Sequence, residues 1–258
     1  MNFKKIIVEI KEAVCLITIN RPNHLNALNN ETIIELNSAI NQAQTSNTTR
    51  CIVLTGAGEK AFVAGADIKE FVKYTKEEGE ALARRGQDQL FDLLENSAIP
   101  TIALINGYAL GGGLELAMAC HIRIATENAM LGLPEVSLGV IPGYGGTQRL
   151  THLVGKGKAI EIITTASMMT ATEAKECGLV NYTCKKEEMT DLSEKIINKI
   201  KQNSPQAISK AIQSINACLK EGVNGFEIEK KLFGECFQTK DFIEGTQAFL
   251  EKRKPNFN

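Results

Sequence analysis

The sequence predicts an α/β protein: a mainly parallel sheet covered on both faces, followed by a purely helical tail. Three observations carry this. Short, largely apolar runs recur at 51–55, 101–105 and 122–125, each bounded by polar or turn residues. Strands buried on both faces read this way. Segments of helical period lie between the runs, as crossover helices would. From Glu187 onward one helical pattern follows another and no strand-like run appears.

The elements follow in order. Ile6 to Ile10 and Val14 to Ile19 are β-type runs separated by Lys11, Glu12 and Ala13, and predict a hairpin. Asn30 is the expected cap of a helix whose apolar face is Ile33, Leu36, Ile40 and Ala43. The buried strands follow, one ending at Gly56 and the next at Asn106-Gly107. The charged stretch from Phe71 to Leu94 reads as helical. In the tail, Ser204-Pro205 opens a helix with proline at its first position, and Gly222 is expected to end it. Two more helices are expected, near 224–237 and 239–252. They carry Phe226, Leu232, Phe233, Phe237, Phe242, Phe249 and Leu250. So much apolar surface either caps the core or is buried against another subunit.

Composition narrows the function. The 258 residues are 43% hydrophobic and 23% charged, ordinary for a globular chain that needs no staples to fold. The net charge of −1 argues against a dedicated nucleic-acid binder. The seven cysteines are scattered, with no C-x-x-C pair and no histidine cluster beside them, and read as free thiols of a reducing compartment. Only His24, His121 and His152 are present, too few for a histidine-rich metal centre, so no metal is expected. No signal peptide is legible, and the most apolar stretch, 99–125, is interrupted by Glu115, His121 and Arg123. The expectation is a cytoplasmic protein that does not span a membrane.

Several motifs fail. The glycine run at 107–113 lacks the order G-x-G-x-x-G, and Gln148 stands where the third glycine of a second candidate belongs. Gly56-Ala57-Gly58-Glu59-Lys60 lacks the length and hydroxyl of a phosphate loop. G-x-S-x-G and H-E-x-x-H do not occur.

Three segments remain. In Ala64-Gly65-Ala66-Asp67-Ile68, small residues let another group approach the backbone. In Gly111-Gly112-Gly113-Leu114-Glu115, three glycines precede an apolar helical run and leave N–H groups unpaired at a helix N-terminus. One donor from each segment would make an oxyanion hole. In Pro134-Glu135, a carboxylate stands in an apolar stretch, where burial would raise its pKa toward that of a proton-transfer group. Each has a plainer reading. The first is also a tight loop. Glu115 also complements a helix dipole. Glu135 also fits a solvated loop. The glycine-rich stretch 141–146 would let a ligand lie against backbone.

Taken together, these strings resemble the crotonase (enoyl-CoA hydratase/isomerase) superfamily. The match begins at Asn20-Arg21-Pro22 and Leu25-Asn26-Ala27-Leu28, and continues through the three segments above. It extends through Pro142-Gly143-Tyr144-Gly145-Gly146-Thr147-Gln148-Arg149-Leu150 to Phe249-Leu250-Glu251-Lys252-Arg253-Lys254. Order and spacing hold over nearly the whole chain. The resemblance implies a crotonase-like spiral of ββα repeats, spanning about residues 1–200, and a C-terminal helical trimerisation region over 201–258. Homotrimers, or dimers of trimers, are implied.

It also implies chemistry. The oxyanion-hole donors fall on the backbone N–H groups of Ala66 and Gly112, and the hydratase glutamates on Glu115 and Glu135. Both glutamates being present, the implied reaction is syn addition of water to a short-chain trans-2-enoyl-CoA, crotonyl-CoA to 3-hydroxybutyryl-CoA, or its reverse. Glu115 would activate the water and Glu135 would give C2 its proton. Contacts to the acyl-CoA thioester are expected from Leu25, Ala64, Asp67, Ile68, Lys69, Gly111, Pro134 and Gly143. Lys252 or Lys254 of a neighbouring subunit could add a phosphate contact. No cofactor is expected, coenzyme A being part of the substrate. Two departures stand out: Asn23 where relatives often carry lysine, and His121 where many carry aspartate. The alternatives are an enoyl-CoA isomerase, a CoA-thioester hydrolase or decarboxylase, and an RNA-binding member of the superfamily.

Overall fold

A computed structural model describes residues 3–257. The expected hairpin is there. β1 (Ile6–Lys11) and β2 (Val14–Ile19) pair antiparallel around Glu12 and Ala13, both at positive φ. Helix α1 (Asn30–Thr45) buries Ile33, Leu36, Ile40 and Ala43, as its spacing requires. Its cap is Asn29 and not Asn30. The Asn29 side chain accepts from Thr32 N–H at 3.0 Å from an extended backbone, while Asn30 is already helical. Two adjacent asparagines offer the same cap chemistry, and only the backbone decides between them.

The expected single sheet is two. β3 (Cys51–Gly56) leads to β4 (Ala61–Ala64), and helices α2 (Lys76–Gly86) and α3 (Asp92–Glu95) follow, joined by a π-helical turn over Gln87–Phe91. β5 (Thr101–Ile105) leads to β6 (Tyr108–Leu110) and then α4 (Gly112–Ala119). β7 (Ile122–Thr126) leads to β8 (Met130–Gly132), then to α5 (Gly146–Val154) and α6 (Lys156–Thr165). Each turn of chain thus gives one strand to each of two sheets and returns through helix. β9 (Met168–Thr170), α7 (Ala171–Glu176) and β10 (Tyr182–Cys184) complete the set. The larger sheet runs β1-β2-β3-β5-β7-β10, parallel except for its hairpin; the smaller runs β4-β6-β8-β9, with only β9 antiparallel. This is the spiral of ββα turns.

The strands of the larger sheet read as continuous apolar runs because both faces are buried. Ile52 and Leu54 of β3 enter the main core. Cys51 and Val53 enter a second core beneath α8 (Met189–Lys201), with Ile197 and Met189. Helix α4 is buried at every position, which explains its apolar character all round. Gly113 allows this: a Cβ there would stand 1.9 Å from the Val63 carbonyl oxygen of β4. At the other end of α4, the buried Arg123 guanidinium donates to the Cys120 carbonyl at 2.5 Å and the Leu179 carbonyl at 2.7 Å. A cation there complements the helix C-terminus.

The tail is α9 (Pro205–Ala217), α10 (Gly225–Cys236) and α11 (Lys240–Leu250). Ser204 caps α9 and Pro205 opens it, as expected, but the helix stops at Ala217 and turns carry the chain to Gly222, at φ +73°. The tail leaves Phe226 78%, Phe233 65%, Phe249 83% and Leu250 79% exposed. Among the described residues no helix is long and apolar enough to cross a membrane.

Candidate active site

The spiral brings the three sequence segments to one cavity of about 320 Å³. Ala64, Gly65, Ala66 and Ile68 line it from the end of β4. Gly111, Gly112 and Glu115 come from the start of α4, and Pro134 and Glu135 from the turn after β8. The remaining wall is apolar: Phe71, Leu82 and Ala83 on one side, Leu138, Val140 and Ile141 on another, and Tyr144. The Tyr144 ring is stacked on Phe91, centroids 4.8 Å apart and planes 17° apart, and is fixed by that packing.

Glu115 is 1% exposed, in the first turn of α4. One of its oxygens, Oε1, accepts two backbone N–H groups, from Tyr144 at 2.8 Å and from Gly146 at 2.7 Å. Gly146 must be glycine for this, since a Cβ would lie 2.8 Å from that same oxygen. Burial, and next the charge of Glu135, push the Glu115 carboxyl up to about 8; the two N–H bonds and Arg149 oppose the rise. Burial therefore outweighs the hydrogen bonds.

Glu135 begins a 3-10 turn, Glu135–Leu138, and is half-buried. Burial raises its pKa too. Its Oε2 is buried and has no hydrogen-bond partner among the described residues. Its Oε1 lies where a Cβ on Gly111 would come within 2.8 Å, and Gly111 has φ +51°, so glycine serves both the turn and the close approach.

Two backbone donors stand nearby. Leu28 N–H bonds the Gly65 carbonyl and Asp67 N–H bonds the Leu28 carbonyl, which leaves the intervening Ala66 N–H without an acceptor among the described residues. Gly112 is the first residue of α4, and its N–H likewise has none. A Cβ on Gly112 would stand 3.5 Å from Ala66 N, so the two segments nearly touch.

Not every expected residue reaches the cavity. The Asp67 carboxylate turns to Arg21 at 2.9 Å, which holds its pKa below the usual range. Leu25 and Lys69 are exposed and do not line the cavity. Ile68, Ala64, Gly111, Pro134 and Gly143 do. The stretch 141–146 lines the cavity with Ile141, Gly143 and Tyr144, and it also spends two of its N–H groups on Glu115. Asn26, within the matching string 25–28, is 1% exposed and donates to the Ala57 and Ala61 carbonyls, so it ties a loop to the sheet. His121 lies away from the cavity. Its Nδ1 accepts from Thr101 N–H at 3.1 Å, its Nε2 faces the Glu95 carbonyl at 3.1 Å, and burial lowers its pKa. His24 and His152 are exposed, as is Asn23. Arg149 and Tyr144, which shape the site, went unsingled in sequence; the signal was their place in the glycine string 143–149.

Two carboxyls and two unpaired N–H groups in one apolar cleft form an arrangement that can exchange protons with a bound molecule and meet negative charge developing on its oxygen. The chain belongs to the enoyl-CoA hydratase/isomerase family, whose model matches residues 9–258. It is 44% identical to a short-chain-enoyl-CoA hydratase of Clostridium acetobutylicum over 255 residues, 98% of this chain and 97% of that one. It is 42% identical to a crotonyl-CoA hydratase of Syntrophomonas wolfei over 258 residues, 100% of this chain and 99% of that one. The crystal structure of an enoyl-CoA hydratase from Bacillus anthracis superposes with a TM-score of 0.91 at 40% identity, covering 98% of this chain and 99% of that one.

Proposed function

We propose that this protein adds water reversibly, with syn geometry, to a short-chain trans-2-enoyl-CoA, converting crotonyl-CoA to 3-hydroxybutyryl-CoA. The chain is an enoyl-CoA hydratase, a hydro-lyase. The observation that supports this assignment of roles is the pairing of Glu115 and Glu135 in one cleft beside the Ala66 and Gly112 N–H groups.

The thioester oxygen sits between those two N–H groups. Glu115 holds the water and takes its proton as the water oxygen bonds to C3. The electron pair of the double bond moves toward the thioester, and the charge on its oxygen is met by the two donors. Glu135 gives its proton to C2. Because the carboxyls interact, they titrate as a pair, and one proton shared between them suits hydration and dehydration alike.

The apolar wall beyond Tyr144 receives the acyl chain. The pantetheine arm leaves past Ala64 and Ile68 toward Lys69, whose exposed ammonium is free to meet a phosphate. No cofactor beyond the substrate's coenzyme A is called for. The apolar faces of α10 and α11 suit assembly into trimers, or pairs of trimers, to which Lys252 and Lys254 would add a phosphate contact.

The test is loss of the conjugated-thioester absorbance of crotonyl-CoA. The parent protein is expected to bleach it, and Glu135→Gln to lose turnover by orders of magnitude while still binding CoA thioesters. Undiminished turnover in Glu135→Gln would overturn the assignment.

A further inference from the structure

Glu115 is held by a loop, and that loop is itself gripped from behind. Arg149, on α5, is 7% exposed. Its Nη1 donates to the Tyr144 carbonyl at 2.8 Å. Its Nε and Nη2 donate to Glu95 Oε2 at 3.1 and 2.7 Å, and Nη2 also donates to Asp92 Oδ1 at 2.7 Å. The loop fits closely around it: Gly145 has φ +91°, and a Cβ there would lie 2.2 Å from Nη1. Tyr144 is therefore engaged through both of its backbone groups, its N–H donating to the Glu115 carboxylate and its carbonyl accepting from the Arg149 guanidinium. The anchor is anchored in turn. The Glu95 carbonyl accepts from Asn216 of α9 at 2.6 Å and meets His121 at 3.1 Å.

We infer that Arg149 is a positioning residue for hydration: it fixes the Tyr144–Gly146 loop, and through the loop's two bonds to Oε1 it fixes the Glu115 carboxyl group, whose other oxygen, Oε2, is left to orient the water. This rests on the role proposed above for Glu115. Arg149 touches no substrate. Its surroundings are Asp92 and Glu95 of α3, His152 of its own helix and Lys220 beyond α9. Glu115 in turn faces Glu135, Tyr144 and, across the loop, Arg149. Arg149 also favours the charged form of Glu115 from across the loop. Loosening the loop and removing the cation both destabilise that carboxylate.

A small displacement of a catalytic group can cost about 10²-fold in rate. Arg149→Met is therefore expected to lower kcat about 10²-fold with KM changed less than about threefold, since ground-state contacts are untouched. The acid limb of its kcat–pH profile should move to higher pH. Arg149→Lys keeps the charge but not the fork, so it should leave the limb nearly in place and restore only part of kcat. A purely structural role would lower thermal stability and leave kcat per folded molecule, and the limb, unchanged. Should Arg149→Met fail to fold, Arg149→Lys decides alone: full activity overturns the inference, and reduced kcat at unchanged KM supports it. Glu115→Gln belongs in the same series. Turnover that survives it overturns the underlying assignment. Turnover that needs Glu115 but ignores both Arg149 variants overturns only the inference.

Discussion

Gly146→Ala isolates the geometry of Glu115 from its chemistry. The substitution keeps the N–H that donates to Oε1 at 2.7 Å and adds one methyl group. That methyl would stand 2.8 Å from Oε1, 2.9 Å from Glu115 Cγ and 2.9 Å from Pro142 Cβ. All three are shorter than a Cβ tolerates, and two belong to the carboxylate arm. Retreat of the loop is opposed by the Arg149 bond to the Tyr144 carbonyl. The side chain of Glu115 must therefore yield, by several tenths of an ångström. Stability should change little. Alanine gains about 0.5–1 kcal/mol over glycine in a helix, against about 1–3 kcal/mol for overpacking. The net loss is at most about 2.5 kcal/mol, roughly 5–10 °C in Tm for a chain of this size. Rate should suffer far more, by about 10²-fold in kcat, because the carboxyl proposed to orient the water is displaced. Crotonyl-CoA turnover and a thermal melt on one preparation separate the two effects. A folded Gly146→Ala enzyme with kcat within about threefold of the parent would refute the claim that the fixed Glu115 carboxyl orients the reaction.

Other predictions follow the same logic. Gly112→Pro deletes one proposed oxyanion donor at a first helical position, where proline is tolerated, and should cost at least about 10²–10³ in kcat; a folded, fully active variant would remove that N–H from the mechanism. The Glu115 carboxyl, pushed up to about 8 by burial, holds a proton in the fold that the unfolded chain releases near pH 4.3, at about the ordinary value. Its contribution to stability is thus full below about pH 4.3 and lost as pH rises through about 8. Glu115→Gln should gain in Tm relative to the parent across that window, and a constant difference would contradict the buried, protonated state. Phe249→Glu, at a position 83% exposed, should lower the sedimenting mass without changing the circular dichroism; an unchanged mass would separate that part of the tail from assembly.

The sequence made the buried strands and the helical tail legible because their patterns are long enough to repeat. The second sheet was not legible from periodicity. Tyr108–Leu110 and Met130–Gly132 are three residues each, too short to show alternation. Only the family resemblance announced the ββα turn. At the site, residue types were readable and partners were not. Asp67 looks like a ligand contact in its string, yet its partner is Arg21, 46 residues away. The glycines at 143–146 signal a close approach of something. That the approaching atom is the oxygen of Glu115, 31 residues upstream of Gly146, is a fact of tertiary structure. A sequence gives the room a glycine makes without saying what fills it.

The two carboxyls differ in a way that bears on their roles. Glu115 is almost sealed, and its Oε1 is saturated by two N–H groups. An oxygen so held can hardly move, which fixes the carboxyl plane and suits the other oxygen, Oε2, to holding a water in one orientation. Glu135 is half-exposed, sits on a short 3-10 turn, and has no protein partner for its buried Oε2. An unpartnered buried oxygen costs about 1–3 kcal/mol, a cost relieved once water or substrate supplies the missing partner. The arrangement therefore favours Glu135 as the group that passes its proton to the substrate, and Glu115 as the fixed reference against which the transfer is aligned. Burial raises both pKa values, which keeps at least one proton in the pair near neutral pH. The same cleft can thus begin hydration with Glu135 protonated, or dehydration with Glu115 protonated, without a change of structure between the two directions.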